Sequence, residues 1–276
     1  MRPGPAVGIL VLGLAAAVLL EPAFSHAFAV WSTTEEFSFG FAVVPLALLL
    51  AWRQRHALAA SPRRRRVGLV IAVCALIVYV IARRTEINAA AGLAVSPLLF
   101  GSVLYLRGEA AAKALAFPIG FLAFGLALYR GLLDTLGFAL QQVTAVAAAS
   151  AGALLGLPIA RDGLVIYGNG YAFIVSEQCS GMSSLVALLA LSSLYVHVAR
   201  GPARAKALVI AAVLPVVVAA NVARVVAVLA VAAWLGQDAA IGFFHGASSA
   251  LLFALAMAGL VIVGRAAGCK APSLER

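Results

Sequence analysis

Apolar stretches fit to cross a lipid bilayer recur along almost the whole chain, and short segments between them carry its charge. A span needs about 20 predominantly apolar residues, within a range of roughly 17–25. Such stretches, several of them short, lie at 6–24, 37–52, 67–82, 89–106 and 114–129, and later at 180–199, 207–235 and 247–264. The chain is 64% hydrophobic and 11% charged, whereas soluble domains are about half apolar and a quarter charged. One core of 276 residues cannot hide that surface, so lipid must act as solvent. The expected fold is an all-α polytopic membrane protein with about eight transmembrane helices, forming a single integral membrane domain over 1–276.

Charge sets the orientation. The chain holds 20 Lys+Arg against 10 Asp+Glu, a net charge of +10. The basic residues sit in short loops between apolar runs, as the positive-inside bias requires, and no nucleic-acid module accompanies them, so no nucleic acid is expected as a partner. The 53–66 loop, with Arg53, Arg55, Arg63, Arg64, Arg65 and Arg66, is assigned to the cytoplasm. So are the 200–206 loop, with Arg200, Arg204 and Lys206, and the tail with Arg265, Lys270 and Arg276. The 21–36 loop has Glu21, Glu35 and Glu36 but no Lys or Arg, and fits the outside. Arg83 and Arg84 stand in a short outside loop, against this scheme. Arg2, the apolar Val7–Leu20 stretch and Ser25-His26-Ala27 loosely fit a signal peptide, but an uncleaved first helix is the favoured reading.

Parity then constrains the middle of the chain. Five spans from a cytoplasmic N-terminus end outside near residue 130, and the 180–199 span must begin outside. Residues 132–156, a helical pattern interrupted by Asp134, Gln141, Gln142, Thr144 and Ser150, are therefore expected to lie in the outer interface or to dip in partway. In 157–178, the runs Leu164–Tyr167 and Tyr171–Val175 flank Gly168-Asn169-Gly170, a β-hairpin signal, expected as a lip on the outer face.

Three residues reach one depth. Cys179, within Gln178-Cys179-Ser180-Gly181, opens a span that runs outside to inside, near a helix N-terminus. The positive dipole end and free N–H groups there lower a thiol pKa and can cradle an oxyanion. Cys74, in an apolar run, and Cys269, in the basic tail, have no such setting, and no cysteine spacing suggests a metal site or a disulfide. Arg224 lies seventeen residues beyond Ala207 in one apolar run, about 25 Å along a core of about 30 Å. A charge at that depth is costly and points to function. Asn221 stands one turn earlier on the same face. His245 precedes the last span and is also near the outer face. His26 shares that side without a comparable context, while His56 and His197 fall on the cytoplasmic side. A cysteine with a base and an anion stabiliser is the equipment for amide cleavage.

At Cys179-Ser180-Gly181, Asn221-Val222-Ala223-Arg224-Val225 and His245 the chain resembles the exosortase/archaeosortase family, with Leu140-Gln141-Gln142, Gly156-Leu157-Pro158 and Gly163 adding to the likeness. The similarity covers about residues 114–264. The resemblance implies an inner-membrane cysteine protease or transpeptidase acting on exported proteins that carry a Pro-Glu-Pro-like motif, an apolar helix and a basic tail. It implies Cys179 as nucleophile, Arg224 as essential cation and His245 as third member, with Asn221, Ser180 and Gly181 in support, and the sequence offers no sign of a metal or organic cofactor. One departure is Ser183, where many members have Arg. The rival reading is a transporter or flippase that uses Arg224 to bind an anionic group. It needs broken helices lining a path, and Pro215 is the position that would supply a break. A non-catalytic assembly factor is the third alternative.

Overall fold

Helix accounts for 81% of the structure, as apolar runs that must satisfy their own backbone in lipid require. The computed structural model describes residues 5–34, 37–58, 65–126, 130–168, 170–176, 180–241 and 243–270, with backbone only at 5–18, 57–58, 65, 130–135, 241 and 243–249. The chain divides into two units, Met1–Tyr129 and Arg130–Arg276.

The first unit contains α1 (Pro5–Thr33), α2 (Gly40–Arg53), α3 (Arg65–Arg84), α4 (Asn88–Arg107), α5 (Glu109–Phe121) and the short α6 (Ala123–Leu126). Helix α1 runs through most of the segment expected as the 21–36 loop. Its polar residues do not end it because their hydroxyls fold back onto the helix: Ser25 donates to Pro22 O, Ser32 to Phe28 O and Thr33 to Ala29 O. Helices α3 and α4 pack backbone to backbone at two glycines. A Cβ at Gly101 would stand 2.6 Å from the Ala72 amide nitrogen, and one at Gly68 2.5 Å from that of Tyr105. Small residues at such crossings let helices approach where lipid offers no hydrophobic drive between them. Gly101→Leu must push the pair apart and should lower thermal stability in detergent by about 1–3 kcal/mol. Gly120→Leu, at an α5 site with nothing within 4 Å, should change it little.

The second unit contains α7 (Arg130–Leu154), strands β1 (Ala160–Asp162), β2 (Val165–Gly168) and β3 (Tyr171–Ile174), then α8 (Met182–Val198), α9 (Ala203–Leu235), the short α10 (Gln237–Ile241) and α11 (Phe243–Ala266). The expected hairpin is present, with Val165 opposite Ile174 and Gly168 opposite Tyr171. It is one strand larger than expected: β1 adds antiparallel to β2, Ala160 opposite Tyr167. The extra strand carries Arg161 and Asp162 and is fully exposed, so it shows no hydrophobic alternation to read. The sheet does not stand alone in water. Buried Ile166 and Val175 join Ala145 and Ala148 of α7 and Val225 and Leu229 of α9 in one apolar cluster, and the Tyr171 hydroxyl donates to Leu229 O at 3.3 Å.

Among the described residues, five helical segments are long and apolar enough to cross a membrane: Arg66–Arg84, Asn88–Arg107, Glu109–Leu126, Leu136–Leu154 and Ala203–Leu235. Gly40–Arg53, Met182–Val198 and Ala250–Ala266 are apolar but shorter. This is a multi-pass membrane protein. Leu136–Leu154 falls in the segment expected to lie in the interface, so length and composition admit a crossing there that charge parity argued against. The polar residues that prompted the interfacial reading point two ways. Gln141 and Thr144 are buried, whereas Gln142 and Ser150 are exposed.

Candidate active site

Helix α7 supplies one wall. Its buried positions Gly137, Gln141, Thr144, Ala145, Ala148 and Gly152 recur at helical spacing, while Leu136, Phe138, Val143 and Val146 are exposed. Small and polar inside with large apolar outside is the pattern of a helix that faces lipid and keeps its polar groups for its neighbours.

Helix α8 meets this wall at its start. Gly181 is its N-cap residue, at φ +77°, a left-handed conformation that favours glycine. Ser180, 3% exposed, accepts the Met182 N–H at 3.1 Å, which satisfies one of the free amides that open a helix. A Cβ at Gly137 would lie 3.9 Å from Ser180 Oγ, so α7 passes close to this turn.

Helix α9 completes the junction. Asn221, 6% exposed, donates from Nδ2 to Thr144 Oγ1 at 3.0 Å. Its side chain also backs directly onto the α8 turn: a Cβ at position 181 would stand 3.2 Å from Asn221 Cγ. A buried chain of contacts thus runs Thr144–Asn221–Gly181, tying three helices at one level. It joins the two motifs that sequence reading picked out separately. Arg224, one turn beyond Asn221, is 8% exposed. Arg224, Asn221, Ala220 and Val217 share a cavity of about 20 Å³ with Ser184 and Leu188 of α8 and Leu252, Phe253 and Ala256 of α11, room for about one water molecule.

Helix α11 runs antiparallel to α9. Its far end meets Val209 at Gly264, and Leu252 and Phe253 stand level with Asn221 and Arg224. The first turn of α11, which carries His245, therefore lies toward the same end of α9 as Arg224. His245 is seven residues before Leu252, about 10 Å along the helix. Its side chain and all of Cys179 lie outside the described residues. Of the six candidates, the structure brings together Ser180, Gly181, Asn221 and Arg224. Helix α9 runs unbroken through Pro215, which removes the helix break on which the transporter reading leaned.

A scan of protein-family models finds a match over residues 31–262, to the transmembrane exosortase model. The chain belongs to the transmembrane exosortase family. The match extends well upstream of the 114–264 stretch whose motifs carried the resemblance. No curated protein and no solved structure matches the chain.

Sequence reading of this exosortase missed Thr144 and Gly137 as positions where α7 meets α9 and the α8 turn. Their signal was available: Gly137, Gln141 and Thr144 are spaced four and three apart in an otherwise apolar helix, which puts them on one face. The junction makes a specific prediction. Gly181→Ala adds a Cβ against Asn221 at a left-handed position and should lower substrate processing at least tenfold, the factor that a shift of ~1.4 kcal/mol gives. Gly236→Ala carries the larger backbone strain, at φ +90° and ψ 166°, a region essentially reserved for glycine, but opens onto empty space. It should cost stability while leaving processing per folded molecule unchanged.

Proposed function

We propose that this exosortase is a cysteine-type protease or transpeptidase of the cell inner membrane, with its site near the outer face. It cleaves the C-terminal sorting signal of exported proteins that present a short motif, an apolar helix and a basic tail. Cys179 is the nucleophile, His245 the proton carrier and Arg224 the anion stabiliser, with Asn221, Ser180 and Gly181 holding the turn. The observation that carries this reading is the buried contact between Gly181 and Asn221, because it couples the turn next to Cys179 to the helix face that bears Arg224.

The chemistry follows from those roles. His245 takes the thiol proton of Cys179. The thiolate attacks the scissile carbonyl, and the oxygen gains negative charge. The Arg224 guanidinium and the free amides at the start of α8 favour that charge in a site shielded from water. The C–N bond breaks, His245 returns the proton to the leaving amine, and a thioester remains on Cys179. An incoming amine or a water molecule then resolves it. A substrate whose apolar helix lies beside the spans presents its outer end at this depth.

The test is to co-express the enzyme with an exported protein that ends in such a signal, and to follow the substrate mass. Loss of the C-terminal helix and tail in the presence of the enzyme supports the reading. A substrate of unchanged mass, with both proteins in the membrane, contradicts it.

A further inference from the structure

The first unit holds a second polar cavity that none of this chemistry uses. It is an open recess of about 490 Å³, within the roughly 300–1,000 Å³ of small-molecule sites. It is lined by Pro22, Ser25 and His26 of α1, Arg83 of α3, Glu86, and Asn88 at the start of α4. Arg83 Nη1 donates to Asn88 Oδ1 at 2.7 Å, which fixes the guanidinium at the cavity wall. Arg83 is also one of the two basic residues that loop charge leaves unexplained.

Glu86 is unusual for its backbone. Among the described residues it is the one non-glycine with positive φ, at +59°. The reason lies in how α3 ends. The Ile87 N–H donates to Ala82 O at 2.9 Å, the bond of a Schellman turn whose left-handed position belongs to Glu86. Glycine is the residue that suits this position. A glutamate there keeps a strained backbone and places a carboxylate at the cavity. Strain of this kind, held by its surroundings, accumulates where a side chain has a task.

A cavity with a guanidinium and a carboxylate fits a ligand with both charges. Guanidinium groups take phosphate in a two-pronged grip, and the N-terminus of α4 at Asn88 adds favourable partial charge. The carboxylate of Glu86 suits an ammonium group. Ile81 and Ile87, which flank Arg83 and Glu86 in the chain, are 57% and 56% exposed, and in a membrane protein such surface meets acyl chains. We propose that this cavity binds the phosphoethanolamine headgroup of a membrane lipid, with Arg83 on the phosphate and Glu86 on the ammonium.

The test is native mass spectrometry of the full-length protein in detergent, offered equal amounts of phosphatidylethanolamine and phosphatidylglycerol with identical acyl chains. The protein should retain phosphatidylethanolamine in preference. Arg83→Ala should reduce that retention about tenfold, as loss of a charged hydrogen bond implies. Arg83→Lys, which keeps the charge, serves if the alanine variant fails to fold, and should reduce retention less. Glu86→Gly should erase the preference between the two lipids while raising Tm by about 2–4 °C, because glycine relieves the left-handed strain. Three outcomes overturn the proposal: unchanged retention in both Arg83 variants, equal retention of the two lipids by the parent, or displacement of lipid by equimolar glycerophosphoethanolamine, which would make the ligand a soluble phosphate ester.

Discussion

With Cys179 replaced by alanine, the protein should still accumulate in the membrane, and substrate should remain full length. Loss of a nucleophile that works as part of a unit typically costs about 10⁴-fold or more, so processing should vanish from any practical assay. Cys179→Ser tests the same point with almost no change in volume. A hydroxyl at a helix N-terminus stays protonated where a thiol ionises, so serine should be nearly as inactive as alanine. A transporter or an assembly factor would tolerate that exchange. The assay is the substrate mass over time, normalised to enzyme in the membrane. A serine variant that processes at the parent rate would remove Cys179 from the mechanism.

Arg224→Ala should have the second-largest effect. If the guanidinium meets charge that develops on the carbonyl oxygen, its removal should lower kcat/KM by about 10²–10³-fold, the usual cost of one such donor. The loss should appear mainly in kcat, because the charge exists only in the transition state. Arg224→Lys keeps a cation but not the planar fork, and should recover only part of the rate. Arg224 is 8% exposed, so alanine there also opens a cavity and leaves neighbouring polar groups without their cation, which should lower stability as well. Thermal unfolding of both variants separates the two effects. An Arg224→Ala variant with parental kcat would show that this cation has a structural task.

Much of this arrangement was legible in the sequence because lipid imposes simple rules. The apolar runs at 67–82, 89–106 and 207–235 became α3, α4 and α9 with modest boundary changes, since a crossing helix must be long and apolar. Gly168-Asn169-Gly170 foretold the turn between β2 and β3 from local backbone chemistry. What escaped was tertiary. Residues 21–33 read as part of a loop that carries Glu21, Glu35 and Glu36, yet the segment continues α1, with the hydroxyls of Ser25, Ser32 and Thr33 turned back onto its own carbonyls. Strand β1 carries Arg161 and Asp162 and is set by pairing to β2 rather than by its own pattern. Gln141 and Thr144 looked like interruptions that kept 132–156 in the interface, whereas they form the buried face of α7. Arg224 and Asn221 stood out because charge and amide are costly in an apolar run. That Asn221 would back onto Gly181 could be known only after α7, α8 and α9 had packed.

The central claim is that Cys179 carries the substrate as a thioester. The most direct measurement is the mass of the Cys179 peptide from enzyme quenched in acid during turnover. The expected result is an adduct equal to the substrate's N-terminal fragment, released by neutral hydroxylamine and absent when substrate is withheld. An unmodified Cys179 during active processing, or an adduct on another residue, would contradict it.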